Sequence, residues 1–162
     1  MFHAIRHFFE KAPLPGSRFR VRGIGIKERL SRRLINRPHG TGDYLFMYFH
    51  TPGRAGCTAK AGAIESGSLF IWPQGEHQFY GNDRRSLLHS WFNCEGSLVS
   101  RLLDNNRIPL RTPVPLPTPD SFLRFLTDLY RELSLQSPPD EAISENLLEN
   151  WLRDLRRTIR PG

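Results

Sequence analysis

The sequence predicts an α+β fold, a small β-barrel of short strands followed by a pair of helices. Three observations carry this. Short apolar runs separated by Pro/Gly turns fill residues 36–96, among them Tyr44-Leu45-Phe46-Met47-Tyr48-Phe49-His50 and Ser68-Leu69-Phe70-Ile71-Trp72. After Gly96 the apolar period changes from strand spacing to helical spacing. The order, strands first and helices last, is the segregated arrangement of α+β rather than the alternation of α/β.

Residues 1–22 form a basic lead-in whose Pro13-Leu14-Pro15-Gly16 reads as an arm rather than a regular element. The stretch from Arg18-Phe19-Arg20-Val21-Arg22 to Arg32-Arg33 alternates charged with apolar residues, which predicts strands with a charged outer face. Residues 23–96 are the barrel. Tyr44 to His50 is apolar on both faces, as a strand within a layered core must be. Gly62 to Gly67 reads as a hairpin connection and Leu69 to Trp72 as a second buried strand. Pro73-Gln74-Gly75 is a sharp turn, Gln78 to Gly81 a short strand, and Leu87 to Cys94 another.

Residues 97–117 form a linker that opens with a short helix, Ser97 to Leu103. The run from Pro109 to Pro119 carries five prolines, which lack the amide donor a ladder needs and predict a stiff connector. Residues 118–162 are the helical segment. Thr118-Pro119-Asp120 supplies an N-cap and a proline at the first helical position. Phe122, Phe125, Leu126, Leu129, Tyr130 and Leu133 follow at helical spacing. Ser137-Pro138-Pro139-Asp140 breaks this helix and starts a second, with the stripe Ile143, Leu147, Leu148, Trp151, Leu152, Leu155 and Ile159. Acidic residues begin that helix and arginines end it, as its dipole favours. The stripe is wider than a helical hairpin needs, which predicts a homodimer through Leu148, Trp151, Leu152 and Leu155.

With 162 residues, 38% of them hydrophobic, the chain can build one real core. Lys and Arg number 23 against 16 Asp and Glu, a net charge of +7. Such a balance suits anionic partners, nucleic acid among them, but the charges are scattered and read as a solvated surface. Cys57 and Cys94 are too few for a disulfide framework and read as unpaired thiols in a reducing compartment. The first residues lack the apolar run of a signal peptide, and nothing approaches the ~20 apolar residues of a membrane span. The expected location is the cytoplasm.

Alternation puts His89, Trp91 and Asn93 on one face of their strand and Gln78 and Tyr80 together on one face of theirs. Turned inward, they offer an indole surface, a phenol and an imidazole at one mouth. That suits a polar ring, whose CH face packs on the indole and whose hydroxyls need partners once desolvated. Metal binding competes with this, because Gly67 to Gly75 fits the Gly-x5-Pro-x-Gly half of a cupin signature. The His-x-His pair of a cupin metal centre is missing, however, and Tyr44 to Thr51 offers only His50. No metal or other cofactor is therefore expected. No Ser or Cys lies in a nucleophile-elbow context, so no catalytic residue is expected either.

Arg37-Pro38-x-Gly40, the tyrosine-led strand from Tyr44, Gly67-(x)5-Pro73-x-Gly75-Glu76 with Tyr80-Gly81, and His89-x-Trp91 stand in order at matching spacings. This set resembles the effector-binding domain of the AraC family of bacterial transcription regulators, the arabinose-responsive type above all. The resemblance implies a cupin-like jelly-roll barrel on a pair of dimerising helices, binding a small-molecule effector of the monosaccharide type. It implies a ligand site at Arg37, Tyr80, His89 and Trp91, with Gln78 and Phe79 replacing the paired histidines of that type. It also implies a helix-turn-helix DNA-binding domain beyond Gly162, so that this chain is the regulatory half of a longer protein. The alternative reading is a cupin enzyme acting on a sugar or small acid, metal-dependent forms included.

Overall fold

The computed structural model describes residues 3–9 and 17–160, so the expected arm segment Pro13 to Gly16 lies outside the described residues. The fold is α+β, a jelly-roll, cupin-like arrangement of two antiparallel sheets with a C-terminal helical hairpin. The strands are β1 (Ile5–Phe8), β2 (Arg20–Leu30), β3 (Arg33–Arg37), β4 (Tyr44–Phe49), β5 (Gly53–Gly56), β6 (Gly62–Ile64), β7 (Ser68–Trp72), β8 (Gln78–Asn82), β9 (Leu87–Glu95) and β10 (Val114–Pro115). The helices are α1 (Ser97–Asn105), α2 (Asp120–Leu135) and α3 (Glu141–Ile159). The larger sheet has the order β1-β2-β9-β4-β7-β10 and the smaller β3-β8-β5-β6.

Three layers result. The larger sheet is sandwiched between the helices and the smaller sheet, which explains why every residue of β7 and all of β4 after Tyr44 are buried. Even-numbered side chains of β4 and β9, Phe46, Tyr48, Phe92 and Cys94, meet the helices in one core. Odd-numbered ones, Leu45, Met47, Phe49 and Trp91, face the smaller sheet in a second. On the helix side Trp151 stacks on Phe125 with ring centroids 4.8 Å apart and meets Phe46 and Phe92 edge-on. Burying one such side chain stabilises the fold by about 1.5–3 kcal/mol.

Leu148, Trp151, Leu152 and Leu155 are each at most 4% exposed in the single chain. The stripe expected to form a dimer interface is thus consumed internally, because α3 packs on both α2 and the larger sheet. Apolar groups left outside are Ile143 on α3 and Leu135 at the end of α2, 44% and 68% exposed. Asp140 caps α3, accepting from the backbone N–H of Ala142 and Ile143. At α2 the helix begins one residue later than expected: Pro119 is the boundary residue, and the Thr118 hydroxyl accepts from Asp120 N.

Two connections are strands instead. Gly62 to Ile64, within the expected hairpin connection, pairs with β5. Val114 and Pro115 pair with Leu69 and Ser68 of β7 inside the proline-rich connector. Pro115 is tolerated because β10 is an edge strand. Part of the expected arm is also regular, since β1 pairs antiparallel with β2 from Ile5↔Ile26 to Phe8↔Gly23. Both cysteines are free thiols, and burial pushes the Cys94 thiol well above its ordinary range.

Candidate ligand-binding site

The smaller sheet brings two of the predicted residues together. β3 and β8 pair with Ile35 opposite Tyr80 and Arg37 opposite Gln78. Arg37 Nη1 then reaches diagonally to the Tyr80 hydroxyl at 3.0 Å and to Gln78 Oε1 at 3.4 Å. Gly81 makes this possible: at φ 139° a side chain would be strained, and a Cβ there would run into the Arg33 carbonyl of β3. Gln78 passes the contact on, donating from Nε2 to Thr41 Oγ1 at 3.1 Å, and the Thr41 hydroxyl donates to Asp43 Oδ1 at 2.6 Å. Asp43, 2% exposed, pairs at 2.9 Å with Arg22 Nε. Burial raises the Asp43 carboxyl above its usual range, against the Thr41 bond and the Arg22 charge.

The larger sheet supplies the opposite wall. His89, Trp91 and Asn93 share the inner face of β9, opposite Phe49, Met47 and Leu45 of β4. On their other side runs β2, which carries two bulges, at Arg22 and at Ile26-Lys27. Strict alternation would put Glu28 on the face of Ile24 and Ile26, which lie in the helix-side core. The second bulge, with Lys27 at φ 48°, turns Glu28 to the opposite face, beside His89. Trp91 Nε1 donates to Glu28 Oε1 at 3.0 Å, and His89 Nδ1 lies 2.7 Å from the Glu28 backbone oxygen. Gly25 is opposite Trp91, and the indole fills the space a Cβ would need.

Between the walls lies a cavity of about 470 Å³. All four residues expected at the site, Arg37, Tyr80, His89 and Trp91, line it. Alternation in the sequence missed Arg6 and Phe8 of β1, Arg22 and Glu28 of β2, and Arg33 of β3. The bulges hid Arg22 and Glu28, Arg22 and Arg33 read as an outer charged face, and Arg6 fell in the basic lead-in. Arg6 Nε approaches Glu28 Oε2 to 2.7 Å as an ion pair, at an angle outside hydrogen-bond geometry. Phe8 packs against Trp91 with ring centroids 5.6 Å apart and is itself 47% exposed. Trp91 is only 7% exposed, so the indole is a wall of the cavity shared with Phe8, not an open plate.

Burial depresses the basicity of His89, with the Glu28 carbonyl and carboxylate pulling the other way. The backbone carbonyl can only accept, which assigns the proton of a neutral His89 to Nδ1. Nε2 is then an acceptor 3.5 Å from Glu28 Oε1. Asn93, 7% exposed, has its Oδ1 buried without a hydrogen-bond partner. Among the described residues no group of three His, Cys, Asp or Glu side chains is arranged to hold a metal ion. Nor is any helix among them long and apolar enough to cross a membrane. The site can therefore grip a small polar molecule between one aromatic wall and several hydrogen-bonding groups.

The family model described as the AraC-like ligand binding domain matches residues 24–152. Similar solved structures include the Clostridium difficile EutQ protein, at 10% identity and TM-score 0.39 over 59% of this chain. A serine-to-alanine mutant of Bacillus subtilis oxalate decarboxylase OxdC is similar at 13% identity and TM-score 0.37 over 58% of this chain. The match spans 62% of the former protein and 27% of the latter. No curated protein matches the chain.

Proposed function

The chain belongs to the family of AraC-like ligand-binding domains, and on that premise we propose that it is the ligand-sensing and dimerisation domain of an AraC-type transcription regulator. Its effector is a small polar molecule, a sugar by the resemblance of its pocket residues. One observation carries this reading: Arg37 and Tyr80 from one sheet and His89 and Trp91 from the other converge on a single cavity. Trp91 and Phe8 supply an apolar surface for the CH face of a ring. Arg37, with its Nη1 spent on Tyr80 and Gln78, keeps Nε and Nη2 donors for hydroxyl oxygens. Neutral His89 offers Nε2 as an acceptor.

The role is regulatory and non-catalytic. Effector binding changes what β1 and the helical hairpin contact, and so the relative placement of two DNA-binding domains in a homodimer. DNA itself is read by a helix-turn-helix domain of the same regulator. Homodimerisation uses the outer faces of the C-terminal helices, because the inner stripe is already buried. The test is a thermal-shift screen of monosaccharides and their derivatives, followed by calorimetric titration of each hit. The expected result is a raised melting temperature and one binding site per chain. If no carbohydrate shifts the melting temperature, the sugar reading fails.

A further inference from the structure

Four arginines line the cavity, but their charges are not equally compensated. Arg6 pairs with Glu28 and Arg22 with Asp43. Arg33 and Arg37 have no carboxylate partner among the described residues. Both project from the same face of β3, each two positions from Ile35, and all three side chains line the cavity. Arg37 is half-buried and bonded only to the neutral Tyr80 and Gln78. Part of its donor fork is unspent, in a place where an uncompensated charge is costly. Glu28 pairs instead with Arg6 and accepts from Trp91, and forms no ion pair with either of these two. Across the cavity, the Asn93 amide is buried and has no side-chain hydrogen bond among the described residues, so it too lacks a partner.

Resting on the effector reading above, we propose that the effector is an acidic monosaccharide, a uronate or aldonate, whose carboxylate pairs with Arg33 and Arg37 and one of whose hydroxyls bonds Asn93. The two requirements come from different walls. Two guanidiniums on one wall can each donate to an oxygen of the planar, bidentate acceptor that a carboxylate presents. The lone amide of Asn93 needs a group that both donates and accepts, which a hydroxyl is and a bare carboxylate is not. A singly charged acid also suits a cavity that retains the carboxylate of Glu28, which would repel a doubly charged phosphate more strongly.

Matched pairs test this: calorimetric titration with D-galacturonate against D-galactose, and with D-gluconate against D-glucose, on wild type, Arg33→Gln and Arg37→Gln. The acid of at least one pair binds at least about tenfold more tightly than its neutral partner, the size expected of one charge-assisted contact. Both variants lose about tenfold or more toward the acid, and added salt weakens acid binding only. Arg33 is exposed, so Arg33→Gln keeps the fold and reads the site directly. A neutral sugar that binds as tightly as its acid sinks the carboxylate assignment and leaves the sugar reading standing. Full acid affinity in Arg33→Gln removes Arg33 from the site. Preference for D-glucose 6-phosphate over D-glucuronate also overturns the carboxylate. No binding by any of these probes defeats both this inference and the reading on which it rests.

Discussion

Glu28 holds Trp91: the carboxylate Oε1 accepts the indole N–H at 3.0 Å from the adjacent strand. The same carboxylate faces Arg6 and the imidazole of His89, so one acidic side chain ties β1, β2 and β9 together at the cavity. Glu28→Ala leaves a buried indole N–H without its acceptor and an arginine without its counter-ion. The expected cost is about 1–3 kcal/mol in urea denaturation, with weaker effector binding. Glu28→Gln keeps an acceptor for Trp91 and loses only the pair with Arg6, so its cost is smaller. Equal losses for the two variants would assign the whole effect to Arg6.

Trp91→Ala lowers effector affinity by about 1–3 kcal/mol, the value of burying one large apolar surface. Arg37→Lys also weakens binding, since an ammonium cannot both hold Tyr80 and present a planar fork to the ligand. Calorimetry with whichever sugar derivative raises the melting temperature measures both. Unchanged affinity in both variants would place the ligand elsewhere in the fold.

Charged residues at Leu148 and Leu155 unfold the protein rather than dissociating a dimer. Both positions are at most 2% exposed within one chain, and an unpaired charge there costs about 3 kcal/mol or more. Circular dichroism should show lost helix and a collapsed melting transition. Ile143→Glu with Leu135→Glu, at the exposed end of the helical hairpin, should instead give a folded monomer in sedimentation. A dimer that survives this second pair uses another surface.

Acid weakens the fold. Burial, with the nearby Lys27 charge, lowers His50 to about 4, and burial also lowers His89. The unfolded chain takes up protons at these histidines near pH 6.5, whereas the folded chain refuses them until lower pH. Stability is therefore full above about pH 6.5 and falls as the pH drops toward 4. Asp43, raised by burial, opposes the trend at its acid end. Denaturant midpoints at about pH 7.5, 6, 5 and 4 should decline for wild type and decline less steeply in His50→Gln. That variant can still accept the hydrogen bond Ser90 Oγ makes with the ring, 2.7 Å from Nε2.

Protein purified without a tag should carry less than stoichiometric zinc, iron or manganese by elemental analysis, and a chelator should leave its melting temperature unchanged. His89 and Glu28 are the cavity's metal-capable pair, and a third ligand beside them is missing among the described residues. A stoichiometric metal would move the enzyme reading to first place.

Much of the framework was legible because it rests on local rules. The inner face His89, Trp91 and Asn93 followed from the period of a strand that runs without a bulge beside β4. The helix boundary at Asp140 followed from capping chemistry. Arg37 enters through the motif resemblance alone, whereas Tyr80 also follows from strand alternation, and the hydrogen bond between them supplies the motif's physical content. Glu28 was illegible for a definite reason. Two extra residues in β2 shift the side-chain alternation, and nothing in the local composition marks where a bulge falls. Arg22 and Arg33 read as a charged exterior because period alone does not say which face of a strand meets a cavity, and Arg6 falls in a lead-in whose pairing with β2 no local signal marks. The α3 stripe was correctly seen as apolar, but a stripe's width does not reveal whether its partner is a sheet of the same chain or another copy.

β9 has one further property. His89, Trp91 and Asn93 project from one side of it, while Ser90, Phe92 and Cys94 project from the other, and Phe92 touches Phe125 and Trp151 of the helical hairpin. The chamber and the hairpin thus share one backbone as their party wall. A molecule that pushes on Trp91 pushes on the peptide that carries Phe92, with no further layer of side chains to absorb the movement. Chamber and helices are separated here by only the thickness of a single strand.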